Sequence, residues 1–223
     1  PVTYDRTNDL AVAWNYYLHR RGIGTSNVAE TGGFVRSPLA EDERPDIQFH
    51  FVPAMLDDHG RQRLPGNGYT LHACALRPLS RGHLSLASAD PAAKVRIHAN
   101  YLGDPEGFDL KVLVEAVRLS REILQQPAFK DWRAGEMFPG DAVRDEAALA
   151  DFVRRKAETI YHPVGTCRMG SDAAAVVDPQ LRVRGVAALR VVDASVMPRL
   201  VGGNTNAPTV MIAERASDLI LAA

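Results

Sequence analysis

Short segments in which apolar and polar residues alternate constrain the fold of this 223-residue chain more than any other feature. In residues 46–52, DIQFHFV, an apolar side chain recurs at every second position from Ile47 onwards, which is typical of a half-buried strand. Residues 69–76, 83–86 and 94–98 alternate in the same way. Turn sequences rich in Gly, Asp, Asn and Pro separate these segments, and consecutive strands joined by such turns favour an antiparallel sheet.

Segments with helical periodicity precede and follow the predicted strands. Helices are predicted at residues 8–21, 107–126, 145–160 and 208–221, and a short apolar strand at residues 189–192. Asn206 and Thr205 are both candidates to cap the last helix, because Asn and Thr are favoured at that position. The predicted fold class is α+β, with an antiparallel sheet of five or six strands and helices packed on one side.

Composition excludes several classes of protein. The formal net charge of −1 lacks the basic excess that nucleic-acid binding requires. The histidines are scattered without ligand spacing, so no metal site is predicted. Cys74 and Cys167 are too few for a secreted disulfide framework, and we expect reduced thiols in an intracellular protein. No segment reaches the roughly 20 consecutive apolar residues that span a bilayer.

The segment from residue 161 to residue 170, YHPVGTCRMG, carries the first candidate for chemistry. His162 directly follows the predicted helix 145–160, where the helix dipole favours a protonated ring. Gly165 and Gly170 would let the backbone approach a flat ligand closely. A lone histidine is usually an ordinary core or surface residue, but an imidazole held rigidly in such a loop suits general-base work near neutral pH.

Two asparagines and an aspartate form the second candidate group. Asn204 and Asn206 stand just before the final helix, and helix capping explains one of them but does not require both. The N–H groups at this helix N-terminus would attract an electron-rich or anionic group. Asp193 follows the short predicted strand, and it either stabilises a turn or contributes to a contact with a cofactor.

Several motifs with well-defined chemistry are missing from the sequence. It contains no GxGxxG dinucleotide motif, no HExxH metal motif and no GxSxG nucleophile elbow. Ser195 with His162 and Asp193 is an alternative candidate, a hydrolase triad. Asp193 and Ser195 lie only two residues apart, which disfavours that arrangement.

YHPVGTCRMG, together with VVDASVMPRLVGGNTNAPTVMIAERASDLI at residues 191–220, closely resembles the C-terminal sequence pattern of the glucose–methanol–choline oxidoreductase family. Residues 25–34, 45–53 and 80–91 are similar to segments of choline dehydrogenases and bacterial aliphatic alcohol dehydrogenases. The resemblance implies an FAD-dependent enzyme that takes a proton and a hydride from a primary alcohol, choline-like or aliphatic, and yields an aldehyde.

The resemblance also implies roles for individual residues. The family's catalytic histidine falls on His162, and its partner, a histidine in some members and an asparagine in others, falls on Asn204. An asparagine there points to the choline dehydrogenase-like branch. The implied cofactor-binding residues are Asp193, Ala194, Asn206, Ala207, Pro208 and Thr209.

The Gly-rich strand–turn–helix of the family's FAD-binding domain has no counterpart in this sequence. Because the chain starts at Pro1, we expect the C-terminal piece of a longer enzyme, whose N-terminal FAD domain is the missing partner. Residues 1–158 are predicted to form the substrate-binding domain, and residues 159–223 a C-terminal segment that would complete the FAD-binding domain. The isolated piece is expected to bind FAD weakly or not at all, and the alternative is a non-catalytic structural or binding module.

The surroundings of the complete enzyme are less constrained. The resemblance implies either oxygen or a quinone-type carrier as electron acceptor. A cytoplasmic location is expected, while peripheral association with a membrane and assembly into a homo-oligomer are left open.

Overall fold

The computed structural model describes residues 8–222. These residues form two compact units, each built from two stretches of chain. The first unit comprises the described part of Pro1–Ala75 together with Val112–Leu149, and the second comprises Leu76–Lys111 together with the described part of Ala150–Ala223. The predicted division into domains at residue 158 is a different partition of the chain and stays a prediction.

Four α-helices and seven strands account for the regular structure of the described residues. The helices are α1 (Asp9–His19), α2 (Phe108–Leu124), α3 (Glu146–Lys156) and α4 (Asn206–Leu221). The strands are β1 (Thr31–Val35), β2 (Ile47–Val52), β3 (Leu56–Asp57), β4 (Gln62–Arg63), β5 (Thr70–Ala75), β6 (His83–Ser85) and β7 (Arg96–His98). The four predicted helices are confirmed, and the four alternating segments correspond to β2, β5, β6 and β7. Strand β1 was not predicted, because adjacent glycines interrupt the alternation of its side chains.

The prediction of a single sheet of five or six strands is wrong for the residues that the structure describes. They form three antiparallel sheets: β1–β2–β5, β3–β4 and β6–β7. Between β5 and β6, the N–H groups of Leu79 and Ser80 donate to the carboxylate of Asp109 at 2.7 and 2.9 Å instead of to a neighbouring strand. Among the described residues, β5 is the last strand of its sheet. The antiparallel pairing is confirmed, whereas the packing of helices on one side stays a prediction.

Strand β2 is the centre of the three-stranded sheet in the first unit. Phe49 pairs with Gly33 of β1 on one side and with Ala73 of β5 on the other. Ile47 and Phe49 are buried, with 0% and 4% exposure, but Gln48 between them is buried as well. Strict alternation of burial therefore fails here, because side chains on both faces of the strand are covered.

Helix α1 begins and ends with recognisable caps. The side chain of Asn8 accepts hydrogen bonds from the N–H groups of Leu10 and Ala11 at 3.0 and 3.3 Å. The helix ends at Arg20, which takes the left-handed conformation with φ of 51°. This is a common way to terminate a helix, and it places the end two residues before the first of the glycines that follow.

Two buried carboxylates fix the N-terminus of α2. Asp104 accepts from the backbone N–H of Phe108 at 2.5 Å and from that of Asp109 at 3.3 Å. Asp109 in turn accepts from the N–H groups of Leu79 and Ser80 and from the Ser80 hydroxyl. The exposed fractions of Asp104 and Asp109 are only 8% and 4%. Burial of two carboxylates is tolerated because backbone donors surround them.

The hydrophobic core of the second unit joins α4 to the irregular chain before it. We call this group the α4 core, and its buried members are Val177, Leu181, Val196, Met197, Ile212 and Ala216. The predicted strand at residues 189–192 is wrong for the described residues, which form only a single bridge there, between Arg182 and Arg190. Within residues 8–222, no helix is long and apolar enough to cross a membrane.

We predict that Asp109→Ala lowers the free energy of unfolding by about 2–4 kcal/mol, because it leaves buried backbone donors without an acceptor, each of which costs about 1–3 kcal/mol. Urea unfolding of the purified chain measures the change. Asp145→Ala is the matched control, since Asp145 caps α3 from an exposed position through the N–H of Ala148 at 2.9 Å. Its loss should cost about 1 kcal/mol. Equal destabilisation by the two substitutions would contradict the role assigned to Asp109.

Candidate active site

Two segments that are distant in sequence meet in the second unit, at residues 161–170 and residues 201–206. The first is tied to the chain before α4 by backbone hydrogen bonds. The N–H of Cys167 donates to the carbonyl of Ser195 at 3.0 Å, and that of Met169 to Val196 at 2.8 Å. Met169 and Val201 both pack against the α4 core. One hydrophobic cluster thus positions both segments.

The imidazole of His162 lies between two residues of the second segment. Its Nδ1 is 2.8 Å from Oγ1 of Thr205, and its Nε2 is 2.9 Å from Nδ2 of Asn204. An amide nitrogen only donates, so Nε2 is the acceptor in this arrangement. The proton of the neutral ring is therefore assigned to Nδ1, which donates to the Thr205 hydroxyl. The lone pair that can take up a proton is on Nε2, beside Asn204.

The backbone before His162 is irregular. Helix α3 ends at Lys156, so the prediction that His162 directly follows a helix is wrong. The favourable effect of a helix dipole is confined to the last turn, so it does not extend to His162. Tyr161 adopts a left-handed φ of 65°, which costs a non-glycine residue on the order of 1–3 kcal/mol. The N–H of Tyr161 donates to Oγ1 of Thr159 at 3.0 Å, which helps to hold this turn.

Both glycines of the YHPVGTCRMG segment have a local structural reason. Gly165 has a φ of 91°, and a Cβ atom there would lie 3.4 Å from the carbonyl oxygen of Met197. A Cβ at Gly170 would lie 2.8 Å from a carboxylate oxygen of Asp172. Arg168 donates to both oxygens of that carboxylate, at 2.9 and 2.6 Å, and this hydrogen bonding holds the pKa of Asp172 well below its usual range. The glycines therefore make room for the turn and for the ion pair.

Asp193 stabilises a turn, which is one of the two interpretations that the sequence left open. Its carboxylate caps the short 3-10 turn Ala194–Val196 by accepting from the N–H of Ser195 at 2.7 Å and from the Ser195 hydroxyl. The Ser195 hydroxyl thus faces Asp193, while both ring nitrogens of His162 have other partners. This hydrogen bonding does not support the hydrolase triad. A contact of Asp193 and Ala194 with a cofactor stays a prediction.

The N-terminus of α4 retains backbone donors. The N–H groups of Asn206 and Ala207 belong to its first turn, where donors have no partner within the helix. Pro208 has no N–H, and the N–H of Thr209 donates to the carbonyl of Thr205 at 3.0 Å. Among the four residues 206–209 predicted to bind the cofactor, Asn206 and Ala207 are therefore the two whose N–H groups are available to a ligand.

Thr205 is the site residue that the sequence did not identify. It occupies the N-cap position of α4, as expected for one of the two candidates, yet its side chain makes no capping hydrogen bond. Its hydroxyl is instead 2.8 Å from Nδ1 of His162. The only trace in the sequence is its position next to Asn204, which does not distinguish a cap from an imidazole partner.

The arrangement combines a proton acceptor with a hydrogen-bond donor. Nε2 of His162 can accept a proton from a hydroxyl group, and the amide of Asn204 can donate to the oxygen of the same group. The first turn of α4 follows Asn204 and Thr205 in the sequence, and its uncapped N–H groups are electropositive. A base, a neutral donor and an anion-attracting helix end are suited to removing a proton from an alcohol beside an electron-rich ring.

Known sequences resemble this chain over most of its length. A family model for GMC oxidoreductase matches residues 78–213. The chain is 52% identical over 212 residues to an alcohol dehydrogenase [acceptor] of Pseudomonas putida, a match that covers 95% of this chain and 38% of that protein. It is 43% identical over 213 residues to an oxygen-dependent choline dehydrogenase of Paraburkholderia phytofirmans, with 96% and 37% covered. The chain thus spans little more than a third of the length of these relatives.

Solved structures agree with the sequence matches. Pyridoxine 4-oxidase from Mesorbium loti aligns with a TM-score of 0.76 and 31% identity, over 86% of this chain and 37% of that chain. A formate oxidase from Aspergillus oryzae that carries a mutation studied for its effect on FAD modification aligns with a TM-score of 0.86 and 26% identity. The alignment covers 97% of this chain and 42% of that chain. The resemblance inferred from the sequence is confirmed. Since the family model covers more than half of its residues, this chain belongs to the GMC oxidoreductase family.

Proposed function

We propose that this chain supplies the catalytic pair, His162 and Asn204, of an FAD-dependent enzyme that oxidises a primary alcohol to an aldehyde. The observation that supports the proposal is the 2.9 Å contact between Nε2 of His162 and Nδ2 of Asn204, which brings an imidazole nitrogen and an amide donor together. The names of the relatives, an alcohol dehydrogenase and a choline dehydrogenase, support an alcohol of choline-like or aliphatic type as the substrate.

The two side chains would act on the same oxygen atom. The alcohol O–H donates to Nε2 of His162, and Nδ2–H of Asn204 turns from the imidazole to the alcohol oxygen. The imidazole then takes the proton as hydride leaves the carbon. Proton transfer by a positioned base contributes on the order of 10²–10⁴-fold, and the second contact fixes the orientation of the carbon.

FAD would act as the acceptor of two electrons when it is bound. The N–H groups of Asn206 and Ala207 suit the electron-rich pyrimidine edge of a flavin, because a helix N-terminus attracts negative charge. Asp193, Ala194, Pro208 and Thr209 complete the proposed cofactor-binding set. The sequence has no dinucleotide motif, so we propose that these residues form only part of the flavin pocket.

The rest of the pocket would come from an N-terminal FAD domain like that expected from the family. In this proposal residues 1–158 form the substrate-binding domain, and residues 159–223 complete the FAD domain. The relatives of this chain are long enough to contain such a domain as well, because the chain covers only 38% and 37% of their length. Oxygen and a quinone-type carrier are the two candidate electron acceptors.

We predict that His162→Ala slows flavin reduction by the alcohol at least about tenfold, because it removes the base that takes up the hydroxyl proton. Anaerobic stopped-flow absorbance of the FAD-loaded enzyme measures this step. His19→Ala is the control, since His19 is an exposed residue in the last turn of α1 and should leave the rate unchanged. An unchanged rate in the His162 variant would refute the assignment.

Asn204→Ala should lower the same rate by about 10²-fold, the loss associated with one hydrogen-bond donor that faces a developing oxyanion. Asn15→Ala is the matched control, because it removes an exposed amide that bonds only to its own helix, through the carbonyl of Ala11 at 2.9 Å. Equal rates for the two variants would remove Asn204 from the catalytic pair.

The non-catalytic alternative makes a separate prediction about the isolated chain. If the chain is only a structural or binding module, the purified protein should show no flavin absorbance after incubation with FAD. Bound flavin in the isolated chain would exclude that alternative. An activated ester tests the hydrolase hypothesis, for which we expect no turnover.

A further inference from the structure

We propose that Thr205 is a positioning residue, which accepts a hydrogen bond from Nδ1–H of His162 and thereby keeps the Nε2 lone pair directed at the alcohol. The inference rests on the proposed function, in which Nε2 is the atom that takes up the proton. The contact that carries it is the 2.8 Å distance between Nδ1 and Oγ1 of Thr205.

The hydroxyl of Thr205 is available because the helix does not use it. A threonine at an N-cap normally accepts from the N–H of the second or third helical residue. The third helical residue of α4 is Pro208, which has no N–H to donate. Thr205 also has φ and ψ of −88° and −8°, whereas a capping residue is usually extended. Both features release the hydroxyl from the helix end.

The position of Thr205 is fixed more firmly than that of its neighbours. It is 9% exposed, whereas Asn204 and Asn206 on either side are exposed. Its carbonyl oxygen accepts from both the N–H and the hydroxyl of Thr209, at 3.0 and 2.7 Å. The Thr205 backbone is thus held by a residue one turn further along the helix. A buried hydroxyl on such a fixed backbone can orient an imidazole ring.

The contact with Thr205 must be considered together with that of Asn204, because a hydroxyl can pair with either tautomer of the neutral ring. Only the tautomer with its proton on Nδ1 leaves a lone pair on Nε2. With Nδ2 of Asn204 facing Nε2, the hydrogen bond to Thr205 is satisfied by this tautomer alone. The opposite network, with Nε2–H donating to the Asn204 carbonyl and the Thr205 hydroxyl donating to Nδ1, would leave no base for the alcohol. The orientation of the Asn204 amide thus selects the productive tautomer, and Thr205 supplies the acceptor that its Nδ1–H requires.

The test compares Thr205→Val, which removes the hydroxyl but keeps the shape, with Thr205→Ser, which keeps the hydroxyl. Long-range ¹H–¹⁵N NMR of the chain labelled in its histidine rings reports which nitrogen of His162 is protonated. We expect protonated Nδ1 and unprotonated Nε2 in the original protein and in Thr205→Ser. In Thr205→Val the proton should redistribute towards Nε2.

Thr166→Val is the matched control, because Thr166 is an exposed threonine of the same loop as His162 and should leave the tautomer unchanged. Protonated Nε2 in the original protein, or the same tautomer in Thr205→Val as in the original, overturns the proposal. In the FAD-loaded enzyme, Thr205→Val should slow flavin reduction at least about tenfold, with recovery in Thr205→Ser.

The two proposals fail in different ways. If His162→Ala leaves flavin reduction unchanged, the proposed function fails, while the NMR experiment still decides whether Thr205 sets the tautomer. If His162→Ala slows the reaction but Thr205→Val alters neither the tautomer nor the rate, Thr205 has only a structural role and the further inference is overturned.

Discussion

The α4 core is the constraint on which the site depends. His162 and Asn204 are 42 residues apart, and hydrogen bonds between exposed or half-buried side chains contribute only about 0.5–1.5 kcal/mol each, too little to close such a loop. The burial of Val196 and Ile212 contributes more, roughly 1.5–3 kcal/mol for each fully buried aliphatic side chain. Met169 and Val201 pack on the same cluster. Apolar packing therefore brings the segments together, and the polar contacts determine how they meet.

At two places in this structure, groups that could take part in regular secondary structure form other hydrogen bonds. The N–H groups of Leu79 and Ser80 bind the Asp109 carboxylate instead of extending a sheet. The Thr205 hydroxyl binds His162 instead of capping α4. In the first case the donors satisfy a buried carboxylate, and in the second the helix gives up a cap that is worth about 1 kcal/mol. The first departure serves stability, whereas the second lies in the candidate site, where departures from local rules are expected.

Much of the fold could be predicted from the sequence. The helices were placed within four residues, and four of the strands were found, because periodicity reflects which side chains are buried locally. The number of sheets could not be predicted, since strand pairing depends on contacts between segments that are distant in sequence. The end of α3 was also misplaced, because no proline or glycine between Lys156 and His162 marks it.

The sequence by itself determined the helices, four of the strands and the family of this protein, because local patterns of residue type encode them. It also predicted His162 and Asn204 as the base and its amide partner. The tertiary structure alone decided that Thr205 faces Nδ1 of His162, that Asp193 caps its own turn and that residues 8–222 form three sheets. The physical reason is that a hydroxyl or a carboxylate accepts from whichever donor the packing of the core brings within 3 Å, and that neighbour is not encoded in the spacing of residues along the chain.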